Sequence, residues 1–150
     1  MPVSASTGLR NAVLTSGSLK SIMEASNGME LLLYGGTPPA DANAAIGSAT
    51  LLCRITDNDT GAGLEFESAA IGGVLTKDES QVWSGEVLAS GTAAFYRLVA
   101  DGDDGEASTT QPRLQGSVGI AGADLNLSSV SLVESALQPI NFFNVVLPTF

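Results

Sequence analysis

The densest run of charge in the chain is DGDDGE at 101–106, where Asp101, Asp103, Asp104 and Glu106 stand together with two glycines. Carboxylates gathered in that way can supply the hard oxygen ligands that calcium takes. A helix–loop–helix calcium loop needs oxygen donors at its first, third and fifth positions, glycine at the sixth and glutamate at the twelfth. Counted from Asp101, the fifth, sixth and twelfth places hold Gly105, Glu106 and Pro112, and the flanks read as strands. The stretch is therefore expected to be a solvated hairpin tip, in which Asp and Gly supply the turn conformations. An irregular calcium site on the same four carboxylates is the alternative. DNDTG at 57–61 has the same character and reads as a turn between strands.

The chain contains no histidine. That removes Ser-His-Asp and Cys-His nucleophile systems, His-ligated zinc and His general bases. Hydrolysis by carboxylates needs two of them converging in a cleft, and the spacing marks no such pair. Cys53, the single cysteine, has no intramolecular disulfide partner and within TLLCRI reads as a small core residue. YGGTPP at 34–39 has adjacent glycines but no following Lys-Ser/Thr and no helix start, so it is not a phosphate loop. No catalytic, cofactor-binding or metal-ligating residue is expected, and the chain reads as non-enzymatic.

Sixteen acidic residues against six basic ones give a net charge of −10. Nucleic-acid backbones draw on clustered Lys and Arg, and these six are scattered; neither nucleic acid nor an anionic membrane is an expected partner. Apolar runs such as MELLLY are far too short to span a bilayer. MPVSASTGLRNAV has neither a basic leader nor an apolar centre and does not read as a secretory signal. A soluble protein made in the cytoplasm is the expectation. With 44% hydrophobic and 15% charged residues, the chain is too apolar to be disordered.

The elements that must hold these residues are mostly strands. MELLLYG (29–35), ATLLCRITD (49–57), GTAAFYRLVA (91–100) and PRLQGSVGI (112–120) are apolar runs of strand length. GLEFESA (63–69) alternates, with Leu64 and Phe66 on one side and Glu65 and Glu67 on the other. Pro38 and Pro39 make 36–48 a loop, ending in one helical turn at Ala42–Ala45. GGVLTKDES and QVWSGEVLA predict a hairpin around Lys77–Ser80. Leu125, Leu127, Val130 and Leu132 change phase near Ser128–Ser129, a bulge or turn. QPINFFNVVLPTF closes the chain as an apolar strand. About eight or nine strands at this spacing predict an all-β fold, an antiparallel β-sandwich or jelly-roll-like barrel.

Residues 1–28 differ from the β domain at 29–150. Ser6 or Thr7 can cap a helix, and apolar residues recur at helical spacing until TSGS, with Gly17, splits the segment. This predicts a short N-terminal helical arm. Its apolar residues Leu9, Val13, Leu14, Leu19, Ile22 and Met23 either pack across their own domain or dock on a neighbouring subunit, and they are the candidate interface. Trp83 reads as core rather than as a stacking platform. Arg97 is expected on the wet face of its strand or paired with a carboxylate, with an intersubunit role as the alternative.

The segments GTPPADANAA, WSG, GTAAFYR and PRLQG…GADLNL carry a resemblance over nearly the whole chain. The chain resembles a group of small structural proteins of tailed-bacteriophage virions. None of these segments is a catalytic motif, so no catalytic residue is carried over. The resemblance implies a virion protein, foremost a capsid decoration (cement) protein acting on the major capsid protein or other virion proteins. It also implies a homo-oligomer, with a trimer favoured. A tail component (tube, tip or fibre-associated) is the first alternative. A carbohydrate- or receptor-binding β module with Trp83 or Tyr96 on its binding face is the second.

Overall fold

MELLLYG forms strand β2 (Met29–Gly35), the central strand of the computed structural model, which describes residues 3–149. It pairs antiparallel with β3 (Thr50–Asp57) on one side and β7 (Phe95–Ala100) on the other. β7 pairs with β8 (Arg113–Gly119), whose other side takes β1 (Ser4–Ala5). Beyond β3 lie β5 (Trp83–Glu86) and β11 (Leu137–Pro139), while β9 (Leu125–Asn126) joins β8 in parallel. Two separate ribbons, β4 (Val74–Thr76) with β12 (Asn144–Val146) and β6 (Gly91–Thr92) with β10 (Ser131–Leu132), complete the strands of the described residues. The fold is all-β and sandwich-like, the class that the strand pattern predicts.

Period-two alternation decides what each central strand buries. Leu31 and Leu33 of β2 stand opposite Leu98 and Tyr96 of β7, and all four face one core. Phe66, Trp83 and Phe143 fill its centre, with Trp83 and Tyr96 each centred within 5.6 Å of Phe143. Tilted and edge-on rings at such distances combine a large buried apolar area with favourable quadrupole contacts.

The N-terminal segment splits as its glycine predicts, into α1 (Thr7–Thr15) and α2 (Leu19–Met23). Ser6 caps α1 by accepting the Leu9 N–H at 3.1 Å, and Ser18 caps α2 by accepting the Ser21 N–H at 3.0 Å. Capping satisfies backbone donors that the first turn leaves free. Over its described residues the segment is joined to the β domain at both ends. Ser4 and Ala5 extend the sheet, and Leu9 and Met23 are buried in the common core.

Several local expectations give way to long-range pairing. No hairpin forms around Lys77–Ser80, because β4 pairs with β12 from the far end of the chain and β5 with β3 and β11. The closing apolar run is interrupted after Pro139, and its two halves, β11 and β12, join different sheets. GLEFESA keeps its alternation, Leu64 and Phe66 buried, but meets its neighbours only through isolated bridges. Asn58 and Asp59 form the expected turn, both in the left-handed region that these side chains tolerate.

Candidate interaction surface

The acidic run 101–106 is not wholly a solvated tip. The Asp103 side chain is buried, and the Arg113 guanidinium grips its carboxylate through Nε–H to Oδ2 at 2.6 Å and Nη2–H to Oδ1 at 3.1 Å. A two-point pairing of this kind is the strongest geometry open to Arg and a carboxylate. Asp101 accepts a hydrogen bond from the Asn27 side chain, and Asp104 accepts the Glu106 N–H. Asp104 also lies 3.7 Å from the Arg113 guanidinium, so the pair Asp103 and Asp104 faces a cation of the protein's own. Among the described residues no three side chains of the metal-ligating types gather into a group.

Arg113 belongs to a larger polar clamp. Arg97 leaves its strand into the protein and not onto a wet face, with 1% of its surface exposed. Its Nε–H donates to Gln115 Oε1, and its Nη2 donates to the carbonyls of Asp41 and Ala44. Gln115 donates to the Pro39 carbonyl, and Arg113 Nη1 to that of Ala42. Three side chains on neighbouring strands thus hold the segment 39–44 by its backbone. The expected helical turn at Ala42–Ala45 does not form, because these carbonyls point into the clamp instead of along a helix. Residues 36–49 act as a strap over the second face of the sheet, and β7 is buried on both sides as a result.

The clamp holds more positive charge than its nearest carboxylate offsets. The hydrogen-bond partners of Arg97 are all neutral, and its Nη1 makes no hydrogen bond among the described residues. Burial pulls the guanidinium below its ordinary proton affinity, and the neighbouring Arg113 adds to this. The polar residues Arg97, Arg113 and Gln115 inside otherwise apolar strands were the signal for the strap. So was a proline-containing loop with a single charge, Asp41, across 36–49.

The six candidate interface residues divide by depth. Leu9 and Met23 lie in the core and are closed to a partner, because α1 and α2 turn these side chains inward against β strands. Leu19 and Ile22 are half-buried against the same core. Val13 and Leu14 are exposed, Leu14 to 81%. Val13 and Leu19 line an apolar groove of about 400 Å³ whose other wall includes Ala70, Leu75, Val145 and Leu147. Lys20 stands at its rim, with its ammonium bound to Glu24 at 2.7 Å and to the Phe66 carbonyl at 2.8 Å. A groove so lined removes apolar surface from water when filled, the non-directional attraction that joins protein surfaces.

Trp83 and Tyr96 are both buried, so the binding-face role considered for either ring does not fit the fold. Trp83 Nε1–H donates to Gln81 Oε1 at 3.1 Å, which satisfies the indole. Burial raises the Tyr96 hydroxyl well above its ordinary range. Cys53 occupies the core position that its apolar run predicts. No helix among the described residues is long and apolar enough to cross a membrane. No protein-family model matches the chain, and comparison with curated proteins and with solved structures finds no match either.

Proposed function

We propose that this protein is a non-enzymatic structural component of a tailed-bacteriophage particle, foremost a capsid decoration protein that lies on the major capsid protein as a homo-oligomer, a trimer being favoured. The observation that carries the reading is the resemblance of GTPPADANAA, WSG, GTAAFYR and PRLQG…GADLNL to virion proteins over nearly the whole chain. The exposed apolar residues of α1 and the adjoining groove support it, since a protein that works by adhering to others needs uncovered apolar surface. In this reading Val13 and Leu14 touch the neighbouring protein, while Leu9 and Met23 hold the helices that present them.

The test is the protein's copy number and position in purified particles, by quantitative mass spectrometry and averaged images. Copies in fixed proportion to the major capsid protein, with density over the head shell, are expected. Copies proportional to tail length, or a few at the tail tip, would move the protein to the tail. Absence from particles would overturn the reading altogether.

A further inference from the structure

We propose that Asn27 is a site of spontaneous covalent change: its side-chain amide is lost to attack by the Gly28 nitrogen, and the change opens the corner that Asn27 shares with the acidic loop. Asn or Asp precedes Gly at three places in the chain, 27–28, 101–102 and 104–105. The fold brings the first beside the other two. Asn27 Nδ2–H donates to Asp101 Oδ2 at 3.0 Å and so ties the turn before β2 to the acidic loop. A glycine in second place leaves the peptide nitrogen unshielded and the backbone free to turn it toward the side-chain carbonyl carbon. Each of the other six asparagines precedes a residue with a side chain.

The step balances with water alone. The Gly28 nitrogen gives its proton to solvent and bonds to Asn27 Cγ, the Cγ–Nδ2 bond breaks, and ammonia leaves behind a cyclic imide. Water then opens the ring, at Cγ to leave aspartate or at the main-chain carbonyl to leave isoaspartate, whose chain runs through the side-chain carbons. The surroundings rank the three places. Asn27 is exposed, and the Gly28 N–H is held only by the Ala25 carbonyl, at 3.3 Å. Asp101 and Gly102 are exposed too, but a carboxylate is a poorer electrophile than an amide, so Asp101 reacts behind Asn27. At Asp104 the step is closed in the folded chain, because the Gly105 N–H donates to Asp103 Oδ1 at 2.8 Å and Arg113 fixes that carboxylate.

The products do not fit the corner. Aspartate at position 27 replaces the donor facing Asp101 by a second acceptor of the same charge, and the tie to the loop is lost. Isoaspartate also lengthens the backbone where the Asn27 carbonyl and Gly28 Cα lie so close to Gly63 that a side chain on Gly63 has no room. The mutual hydrogen bonds of Met29 and Leu64 begin at the next residue.

The inference is independent of the phage reading and is tested on the purified full-length chain alone. The native chain is aged at neutral and at mildly alkaline pH, beside a sample kept unfolded in urea, and peptides are mapped by mass and by enzymatic labelling of isoaspartate. In the native chain Asn27 should convert several times faster than any other asparagine, and faster at the higher pH. Isoaspartate at 101 should follow more slowly, and isoaspartate at 104 should appear only in the unfolded sample. Asn27→Asp should keep the native circular dichroism and speed amide exchange at 101–106 while leaving β7 unchanged; Asn27→Gln, which keeps the amide but not the ring size, should stop the conversion. Native Asn27 that stays intact, or converts no faster than the other asparagines, would overturn the proposal. So would wild-type exchange at 101–106 in Asn27→Asp, since the corner would then not open.

Discussion

Arg113 and Asp103, ten residues apart, form a two-point ion pair with side chains 0% and 3% exposed. The pair ties the tip of the acidic loop to β8 and sets the strap against the sheet. Breaking it by removing one partner strands a charge in the interior. Asp103→Asn should therefore cost about 3–5 kcal/mol, read from urea unfolding. Asp104→Asn, on a largely exposed carboxylate 3.7 Å from the same guanidinium, should change stability by less than about 1 kcal/mol. Equal losses in the two variants would contradict this assignment.

The same pairing bears on cation binding. With Asp103 committed to Arg113 and no three metal-ligating side chains gathered among the described residues, neither millimolar calcium nor EDTA should move the melting temperature. A rise with calcium that EDTA reverses would show that the loop rearranges to take the ion.

Arg97 tethers the strap through the carbonyls of Asp41 and Ala44. Hydrogen bonds to a charged donor contribute about 1.5–3 kcal/mol each. Arg97→Ala should lower stability by a few kcal/mol, about 3 on that scale, and speed amide exchange within 39–46 more than in β2. Arg97→Lys should recover only part of the loss, because an ammonium cannot reproduce the planar fork. Uniform acceleration across strap and core would count against a local tether.

Two neighbouring glycines should respond very differently to alanine. A Cβ on Gly63 would run into the Asn27 carbonyl and the Gly28 backbone, whereas one on Gly61 would meet open space. Gly63→Ala should cost upwards of about 4 kcal/mol, at the severe end of single substitutions. Gly61 has φ +84°, so Gly61→Ala should cost only about 1 kcal/mol of backbone strain. Thermal melts of the two variants decide the point.

Burial pushes the Cys53 thiol up to about 12, with Asp59 adding a smaller push in the same direction. An unfolded thiol ionises near about 8.5. The folded chain therefore holds this proton more tightly. The group's contribution is whole below about pH 8.5 and falls as pH rises from there toward 12. Urea titrations at pH 7 and pH 10 should show a stability loss that is smaller in Cys53→Ala. A thiol reagent at pH 8 should label Cys53 only at the rate of unfolding, and rapid labelling of the native protein would contradict the buried position.

Much of the fold was legible in local pattern. β2 begins and ends where MELLLYG does, and β3 lies within one residue of its predicted range. Ser6 caps α1, and the helix breaks around Gly17. These features rest on side-chain periodicity, capping and turn chemistry within a few residues, which a single chain displays directly. Ribbon β4–β12 was not legible, because Val74 and Val146 are joined only by tertiary pairing. The candidate interface was legible as an amphipathic helix but not as an inward and an outward half. Helical spacing identifies one apolar stripe without saying how deep the domain buries each part of it.

The sequence by itself determined an acidic, histidine-free chain whose apolar runs have strand length, and with that an all-β core around Phe66 and Trp83. Only the tertiary structure decided what Arg97, Gln115 and Arg113 do. Alternation places them on the face of the sheet opposite that core, a face that water covers in many antiparallel sheets. Here the strap covers it instead, through acceptors 53–76 residues distant along the chain. Such a contact depends on where two remote segments come to rest, and the periodicity of neither one records it.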